Sequence, residues 1–167
     1  MMELFLLRHG IAVEKGTPGF ENDSARPLTP GGIKKTRKIA KGIKRMDLKF
    51  DFILSSPFLR AKQTAEIVTK ALKCGRKLKL TKSLTADEKP ESILKEINQT
   101  YKNAARLLLI GHEPYLSQLI SLLLSGDRKI QINFKKGGLC KLTLDKALSP
   151  SSATLNWLLT PGQLEKI

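Results

Sequence analysis

Short apolar runs alternate along the chain with segments in which apolar residues recur every three or four positions. Compact apolar runs of this kind are typical of buried strands, and runs of alternating polarity are typical of half-buried strands. The last two runs predict a terminal pair of strands joined by a longer loop. The predicted strands cover residues 3–8, 50–55, 77–81, 106–110, 138–144 and 154–159.

Helical periodicity fills most of the segments between these runs. Hydroxyl–proline pairs at 29–30 and 56–57 are typical helix starts, with an N-cap followed by proline at the first helical position. The spacing in the first helix predicts lysines on one face and, on the opposite face, an inward stripe of Ile33, Arg37, Ala40 and Ile43. The predicted helices cover residues 30–46, 57–72, 90–100 and 114–124, and residues 11–28 are predicted to form a loop.

This order of elements predicts the α/β class, with a mainly parallel central sheet flanked by helices. The 167 residues suit a single domain over 1–167, and no repeat or linker divides them. No apolar run approaches the ~20 residues of a membrane span, and the run near the N-terminus is too short for a signal-peptide core. We therefore expect a soluble, cytoplasmic protein.

The charge of the chain is strongly positive. Thirty Lys and Arg residues against fifteen Asp and Glu give a net charge of +15. Such an excess attracts nucleic acid, anionic membranes or acidic proteins, and it is equally expected of a solvated basic surface. Few aromatic residues lie among the basic ones, which argues against a stacking platform for single-stranded nucleic acid. A basic adaptor that binds nucleic acid or an acidic protein through residues 34–45 is the non-enzymatic alternative.

The cysteines predict neither a disulfide nor a metal site. Cys74 and Cys140 are isolated in the sequence, and we expect both to be free thiols. The two histidines and two cysteines are also scattered, unlike the spaced ligands of a structural zinc site. We expect no metal and no cofactor.

Residues suited to phosphate chemistry follow three of the predicted strands. Arg8, His9 and Gly10 end the first strand, and Arg60 falls in the first turn of the helix after the second. His112 comes directly after the strand at 106–110. Because ligands gather beyond the carboxyl ends of parallel strands, we expect these side chains to face one crevice.

The residue types in this predicted crevice suit an oxyanion. Arginine forks bind phosphate through two parallel hydrogen bonds, and helix N-termini add backbone N–H groups. Two histidines supply a nucleophile and a donor, or an acid and a base. From the residues alone we predict an anion-binding crevice, and whether it is catalytic stays open.

The same segments resemble those of the histidine phosphatase superfamily, which has the phosphoglycerate mutase-like fold. The Arg-His-Gly signature at 8–10 resembles its first motif, SSPFLRAKQTA at 55–65 its second and Gly-His at 111–112 its third. ARPLTPGG at 25–32 and LLLIGHEP at 107–114 are similar to segments of its SixA-like phosphohistidine phosphatase branch. The resemblance spans nearly the whole chain.

This resemblance implies a metal-independent mechanism. His9 would attack phosphorus in line and become a phosphohistidine, which water then cleaves. Arg8, Arg60 and His112 would hold the phosphoryl oxygens and stabilise the charge of the transition state. Gly10, which lacks a side chain, would allow close approach of the backbone to the ligand.

Three further residues are candidates for this site. Arg26 is either a residue of the pocket rim or a loop arginine in solvent. Asp87 or Glu88 is a candidate general acid, because members that cleave esters usually carry one; alternatively, the pair is an acidic loop before a helix N-terminus. The SixA-like branch implies no such acid, since a phosphoramidate leaves as neutral imidazole once its nitrogen is protonated.

The sequence thus predicts a phosphatase that acts on phosphohistidine in a signalling protein. A phosphatase for a small-molecule phosphoester is the enzymatic alternative. We expect a phosphorylated protein or a small phosphorylated molecule as the substrate, and neither a membrane nor nucleic acid as a partner.

Overall fold

Six strands form one sheet in the computed structural model, which describes residues 1–145 and 147–167. Their order across the sheet is β3-β2-β4-β1-β5-β6. β1, β2, β3 and β4 pair in parallel, whereas β5 pairs antiparallel with both β1 and β6. The mainly parallel sheet and its terminal antiparallel pair are therefore confirmed. The strands are β1 (Met2–Arg8), β2 (Phe52–Ser55), β3 (Leu78–Leu80), β4 (Arg106–Gly111), β5 (Leu139–Leu144) and β6 (Ala153–Leu159).

Five α-helices cover the two faces of this sheet. The four predicted helices are present, and a short fifth helix at the C-terminus was not predicted. Its start carries a readable signal: Thr160 and Gln163 form a capping box, with proline at the first helical position. None of the helices within the described ranges is both long and apolar enough to cross a bilayer. The helices are α1 (Pro30–Arg45), α2 (Leu59–Leu72), α3 (Pro90–Thr100), α4 (Tyr115–Ser125) and α5 (Pro161–Lys166).

The alternation of side chains along β1 divides the core into two layers. Leu4 and Leu6 point to the face covered by α3 and α4, whereas Phe5 and Leu7 point to the face covered by α1, α2 and α5. All four side chains are fully buried. A strand that is apolar on both faces must lie inside a sheet covered on both sides, as the sequence of β1 predicts.

The buried stripe of α1 confirms the inward positions predicted at Ala40 and Ile43 but not the one predicted at Arg37. Arg37 is exposed, and the inward positions include Thr36 and Ile39. The helix turns this face inward because its glycines meet other backbone: a Cβ on Gly32 would lie 1.9 Å from the carbonyl oxygen of Ile11. Such contacts between backbones, rather than the apolar pattern alone, determine the rotation of the helix.

The predicted start of α2 is wrong by two residues. The helix begins at Leu59, and Phe58, which makes no capping hydrogen bond with its side chain, is the N-cap. The hydroxyl of Ser56, which predicted the cap, accepts a hydrogen bond from the Phe58 N–H and contacts His112. The Ser-Pro pair therefore belongs to the turn that carries the candidate site.

Candidate active site

The carboxyl ends of β1 and β4 place two histidines side by side. The strands pair in parallel with Arg8 opposite Gly111, so His9 and His112 emerge at the same edge of the sheet. Their ring centroids are 5.1 Å apart, and both residues are buried. Arg8 and Arg60 reach the same place, so the structure brings together the four residues that the sequence predicted to share a crevice.

The hydrogen bonds of His9 assign its tautomer. Nδ1 lies 2.7 Å from the carbonyl oxygen of Gly10, which accepts only, so Nδ1 carries the proton. On the other side of the ring, Arg60 Nε donates to Nε2 over 3.3 Å. Nε2 therefore carries no proton and keeps a lone pair, which is the state a nucleophilic nitrogen needs.

The surroundings of His9 keep its ring neutral. Burial is the largest cause of a pKa that lies well below the usual 6.5; the neighbouring His112 ring, with which a second proton would compete, and the positive charges of Arg60 and Arg8 lower it further. The hydrogen bond to Gly10 opposes this shift without reversing it. His9 Nε2 is thus unprotonated throughout the neutral pH range.

Asp23 fixes the orientation of Arg60. One terminal nitrogen of the guanidinium donates to the Asp23 carbonyl oxygen at 2.7 Å, and the other donates to its carboxylate at 3.0 Å. The arginine side chain is only 3% exposed. Because both ends are held, Nε is aimed at His9. The sequence did not predict a role for Asp23, which lies in a segment predicted only as a loop.

Arg26 supports the same arrangement from the loop. Its guanidinium donates twice to the carboxylate of Asp23, at 2.9 and 2.7 Å, and once to the Val13 carbonyl. Burial raises the pKa of Asp23, but the hydrogen bonds from Arg26 and Arg60 outweigh it, so the net shift is downward. Arg26 is therefore a structured residue that contacts Asp23 rather than an arginine free in solvent.

His112 is held by the turn between β2 and α2. Its Nε2 lies 2.8 Å from Ser56 Oγ, and the hydroxyl already accepts from the Phe58 N–H. Because no other acceptor for the hydroxyl proton lies among the described residues, we assign the hydroxyl as donor to Nε2, which leaves the ring proton on Nδ1. Burial first, and then the charge of Arg60, lower the pKa of His112 to about 3, so the ring is neutral.

Two buried donors around His9 have no hydrogen-bond acceptor among the described residues. They are Arg8 Nε and His112 Nδ1. Arg8 is anchored through another nitrogen, which donates to the Phe134 carbonyl at 2.7 Å. Buried donors in native proteins are nearly always paired, and an oxyanion beside His9 would supply the acceptors that both groups need.

Gly10 is required by the packing of α1. A Cβ at this position would lie 2.3 Å from Thr36 Oγ1 and 3.3 Å from the side chain of Leu28. Its N–H donates to Thr64 Oγ1 at 3.1 Å, and that hydroxyl donates to the Arg60 carbonyl at 2.8 Å. The glycine thus links the strand end that carries His9 to the helix that carries Arg60.

Asp87 and Glu88 lie on the exposed loop before α3. Glu88 accepts hydrogen bonds from the Ser92 hydroxyl at 2.6 Å and from the Lys89 N–H at 3.4 Å, as a residue near a helix start does. The charged side chains that shift the pKa values of His9 and His112 are arginines and Asp23, and neither loop carboxylate is among them.

Metal ligands do not cluster in the part of the chain described. No three His, Cys, Asp or Glu residues within it are arranged to hold a metal ion. Both cysteines are free; burial raises the pKa of Cys140 to about 12, and it raises that of Cys74 to a smaller extent. The positively charged and imidazole groups of the site, Arg8, Arg60, His9 and His112, instead suit an anion.

Comparison with known proteins agrees with this geometry. Residues 4–86 match the family described as histidine phosphatase superfamily (branch 1). An uncharacterised protein of Picosynechococcus is 33% identical over 142 residues, 84% of each chain. The phosphohistidine phosphatase SixA of Escherichia coli is 29% identical over 98% of this chain and 97% of its own.

A solved structure extends this similarity to three dimensions. The structure of the protein histidine phosphatase SixA complexed with tungstate superimposes with a TM-score of 0.83 at 29% identity. The match covers 98% of this chain and 99% of that one. The fold similarity therefore includes the C-terminal part of the chain, beyond the residues that match the family.

Proposed function

Because the chain belongs to the histidine phosphatase superfamily, we propose that it hydrolyses phosphohistidine through a phosphoenzyme intermediate on His9. The observation that carries the proposal is the unprotonated Nε2 of His9, held beside Arg60 by the hydrogen bond from Nδ1 to Gly10. The unpaired donors Arg8 Nε and His112 Nδ1 support an oxyanion at the same position.

In the first step, His9 Nε2 attacks phosphorus in line. An N–P bond forms as the bond from phosphorus to the leaving nitrogen breaks. The leaving imidazole departs neutral when its other ring nitrogen carries a proton from solvent, because the electron pair of the breaking P–N bond stays on the leaving nitrogen, so the step requires little from a general acid. The new phosphohistidine keeps its proton on Nδ1, which donates to the Gly10 carbonyl oxygen, and this hydrogen bond holds the ring in place.

In the second step, a water oxygen attacks the phosphorus of the intermediate. A P–O bond forms, the His9 N–P bond breaks and the water proton passes to the departing phosphate or to solvent. His9 returns to its neutral form, which its lowered pKa favours. Arg8, Arg60 and His112 donate to the phosphoryl oxygens in both steps and stabilise the charge of the transition state.

The substrate we propose is a phosphohistidine on a signalling protein in the cytoplasm. The two SixA comparisons, to a phosphohistidine phosphatase and to a protein histidine phosphatase bound to tungstate, support it. Tungstate is a tetrahedral oxyanion like phosphate. The exposed loop position of Asp87 and Glu88 also favours a substrate whose leaving group needs no dedicated acid.

A substrate panel tests this proposal. Phosphohistidine, a phosphohistidine peptide, an aryl phosphate and a small alkyl phosphate are compared in buffer that contains a chelator. We expect both phosphohistidine substrates to be turned over with the highest kcat/KM and without added metal. Preferential turnover of the alkyl phosphate would support a small-molecule phosphoesterase instead, and activity only with a divalent ion would exclude the mechanism.

A further inference from the structure

A shallow groove of about 550 Å³ lies between α1 and α2 on the outer surface. Its floor is apolar and includes Ile33, Ala40 and Ile67, and its rim carries the cations Arg37 and Lys41. Both isoleucines are half-buried, whereas the two cations are exposed. We call this feature the α1–α2 groove. Phosphate transfer at His9 does not account for it.

The α1 side of the α1–α2 groove carries only positive charge, whereas α2 contributes one exposed anion, Glu66, and one exposed cation, Lys70. α1 carries seven Lys or Arg residues and no acidic residue. Across the described ranges, only Lys35 and Lys38 of this helix form ion pairs, both with Glu165 of α5. Arg37 and Lys41 therefore present free positive charge directly above an apolar floor.

One end of the α1–α2 groove adjoins the candidate active site. Gln63, which lines the groove, accepts a hydrogen bond from the Leu28 N–H at 2.7 Å. The next residue, Thr64, accepts from the N–H of Gly10, beside His9. From Ile33 to Lys41 the groove follows ~12 Å of helix axis, at ~1.5 Å per residue. It is long enough for about two turns of a helix.

We propose that the α1–α2 groove binds an acidic, amphipathic segment of the phosphorylated protein substrate. The inference rests on the proposed function. Apolar side chains of the segment would cover the floor, while its carboxylates would meet Arg37 and Lys41. Oppositely charged surfaces speed association and select partners, so the groove would distinguish a protein substrate from free phosphohistidine.

Nucleic acid fits the α1–α2 groove less well than an acidic protein segment. No aromatic residue lines it, so bases have no stacking platform. The apolar floor suits aliphatic side chains rather than sugars and phosphates.

The test compares two peptides with the same phosphohistidine. One carries a Glu- and Leu-containing extension and the other replaces each Glu by Gln. For the double variant Arg37→Glu/Lys41→Glu we expect KM for the acidic peptide to rise about tenfold or more, with kcat nearly constant. Turnover of free phosphohistidine should be unchanged, which also shows that the variant folds.

The matched control is Lys79→Glu/Lys102→Glu, which makes the same change in net charge at two exposed lysines elsewhere. It should leave KM for the acidic peptide within about twofold of wild type. Wild type should prefer the acidic peptide to its Gln counterpart, and this preference should weaken as the salt concentration rises. Equal effects of the two double variants, or no preference of wild type for the acidic peptide, would overturn the proposal. The proposal would also be overturned if a 20-nucleotide oligonucleotide bound wild type more tightly than the acidic peptide does and lost this binding in Arg37→Glu/Lys41→Glu.

A further measurement separates this proposal from the function on which it rests. If wild type fails to hydrolyse any phosphohistidine, the proposed function is wrong. Binding of the unphosphorylated acidic peptide, followed by fluorescence polarisation, then decides about the groove alone. Weaker binding by the groove variant than by the control variant supports the docking surface, and equal binding overturns it.

Discussion

Arg60 Nε donates to His9 Nε2 over 3.3 Å, and both terminal nitrogens of the same guanidinium are bound to Asp23. The arginine thus points one donor at the nitrogen that we propose as the nucleophile. It cannot rotate away without breaking two hydrogen bonds. When a phosphoryl group occupies this position, the same Nε–H lies beside the oxygens that gain charge, so little reorganisation is needed.

Replacing His9 by alanine should abolish turnover. The nucleophile has no substitute in the site, so we expect kcat/KM for a phosphohistidine peptide to fall by about 10³-fold or more. The measurement is steady-state kinetics, with circular dichroism as the control for folding. Near-wild-type activity in a folded His9→Ala protein would contradict the mechanism.

Asp23→Asn should impair the reaction without unfolding the protein. Asparagine keeps the backbone carbonyl that binds Arg60 but loses the carboxylate that binds both Arg60 and Arg26. We expect a loss of about 10- to 100-fold in kcat/KM, as for a misplaced group near the reacting atoms. Glu21→Gln, an exposed change two residues away, is the control. Equal kinetics of the two variants would exclude a positioning role for Asp23.

Vanadate should inhibit competitively, and its binding should depend on Arg8. A hydrogen bond to a charged group contributes ~1.5–3 kcal/mol, so Arg8→Ala should raise the inhibition constant by about 10- to 150-fold. The matched control is Arg106→Ala, an exposed arginine at the opposite end of β4. Inhibition that is non-competitive, or equally weakened by both changes, would place the anion elsewhere.

The unfolding free energy should decrease as the pH falls through the histidine range. His9 and His112 are the only histidines, and both have lowered pKa values in the folded protein, about 3 for His112. Below the ordinary value of ~6.5 the unfolded chain binds protons that the folded chain excludes. The contribution of the two neutral histidines to the unfolding free energy is therefore fully present above this pH and is lost as the pH falls towards their folded pKa values.

Each histidine contributes at most ~1.4 kcal/mol per pH unit in this range. Chemical denaturation at about pH 7 and about pH 5 measures the sum, because few other groups titrate between these values. His9→Asn should reduce the slope by about half. A pH-independent unfolding free energy in wild type would show that the histidines are not buried in the neutral form.

Much of the site could be predicted because its residues follow apolar strands. Arg8, His9 and His112 are adjacent to β1 and β4, and parallel strands bring their carboxyl ends to one edge. Asp23 could not be predicted in this way. It lies 37 residues from Arg60, in a loop whose path has no periodic signal, and its role depends on tertiary packing.

The errors in the fold prediction have a similar origin. Ser56 has the residue type of a helix cap, but its hydroxyl contacts His112, and α2 begins three residues later. Arg37 has the spacing of a buried position in α1, but glycine contacts with neighbouring backbone rotate the helix and expose it. In both cases a tertiary contact overrides a local pattern.

Substitutions of Asp87 and Glu88 should distinguish a phosphohistidine phosphatase from a small-molecule phosphoesterase. General acid catalysis contributes ~10²–10⁴-fold where the leaving group is poor, as in an alkyl phosphate. Phosphohistidine and aryl phosphates have better leaving groups. For a phosphohistidine phosphatase, Asp87→Asn and Glu88→Gln should therefore each change kcat/KM for a phosphohistidine peptide by less than about threefold.

A phosphoesterase would respond differently to the same substitutions. One of the two variants would lose more than ~10²-fold on the alkyl phosphate while keeping its activity on the aryl ester. Glu91→Gln, an exposed carboxylate in the first turn of α3 that pairs with Arg128, is the control for a change in loop charge. We expect the first outcome, because Glu88 already accepts a hydrogen bond from Ser92 and both loop carboxylates are exposed. A loss confined to the alkyl phosphate, on an alkyl ester that wild type hydrolyses efficiently, would identify the general acid and reassign the protein as a phosphoesterase.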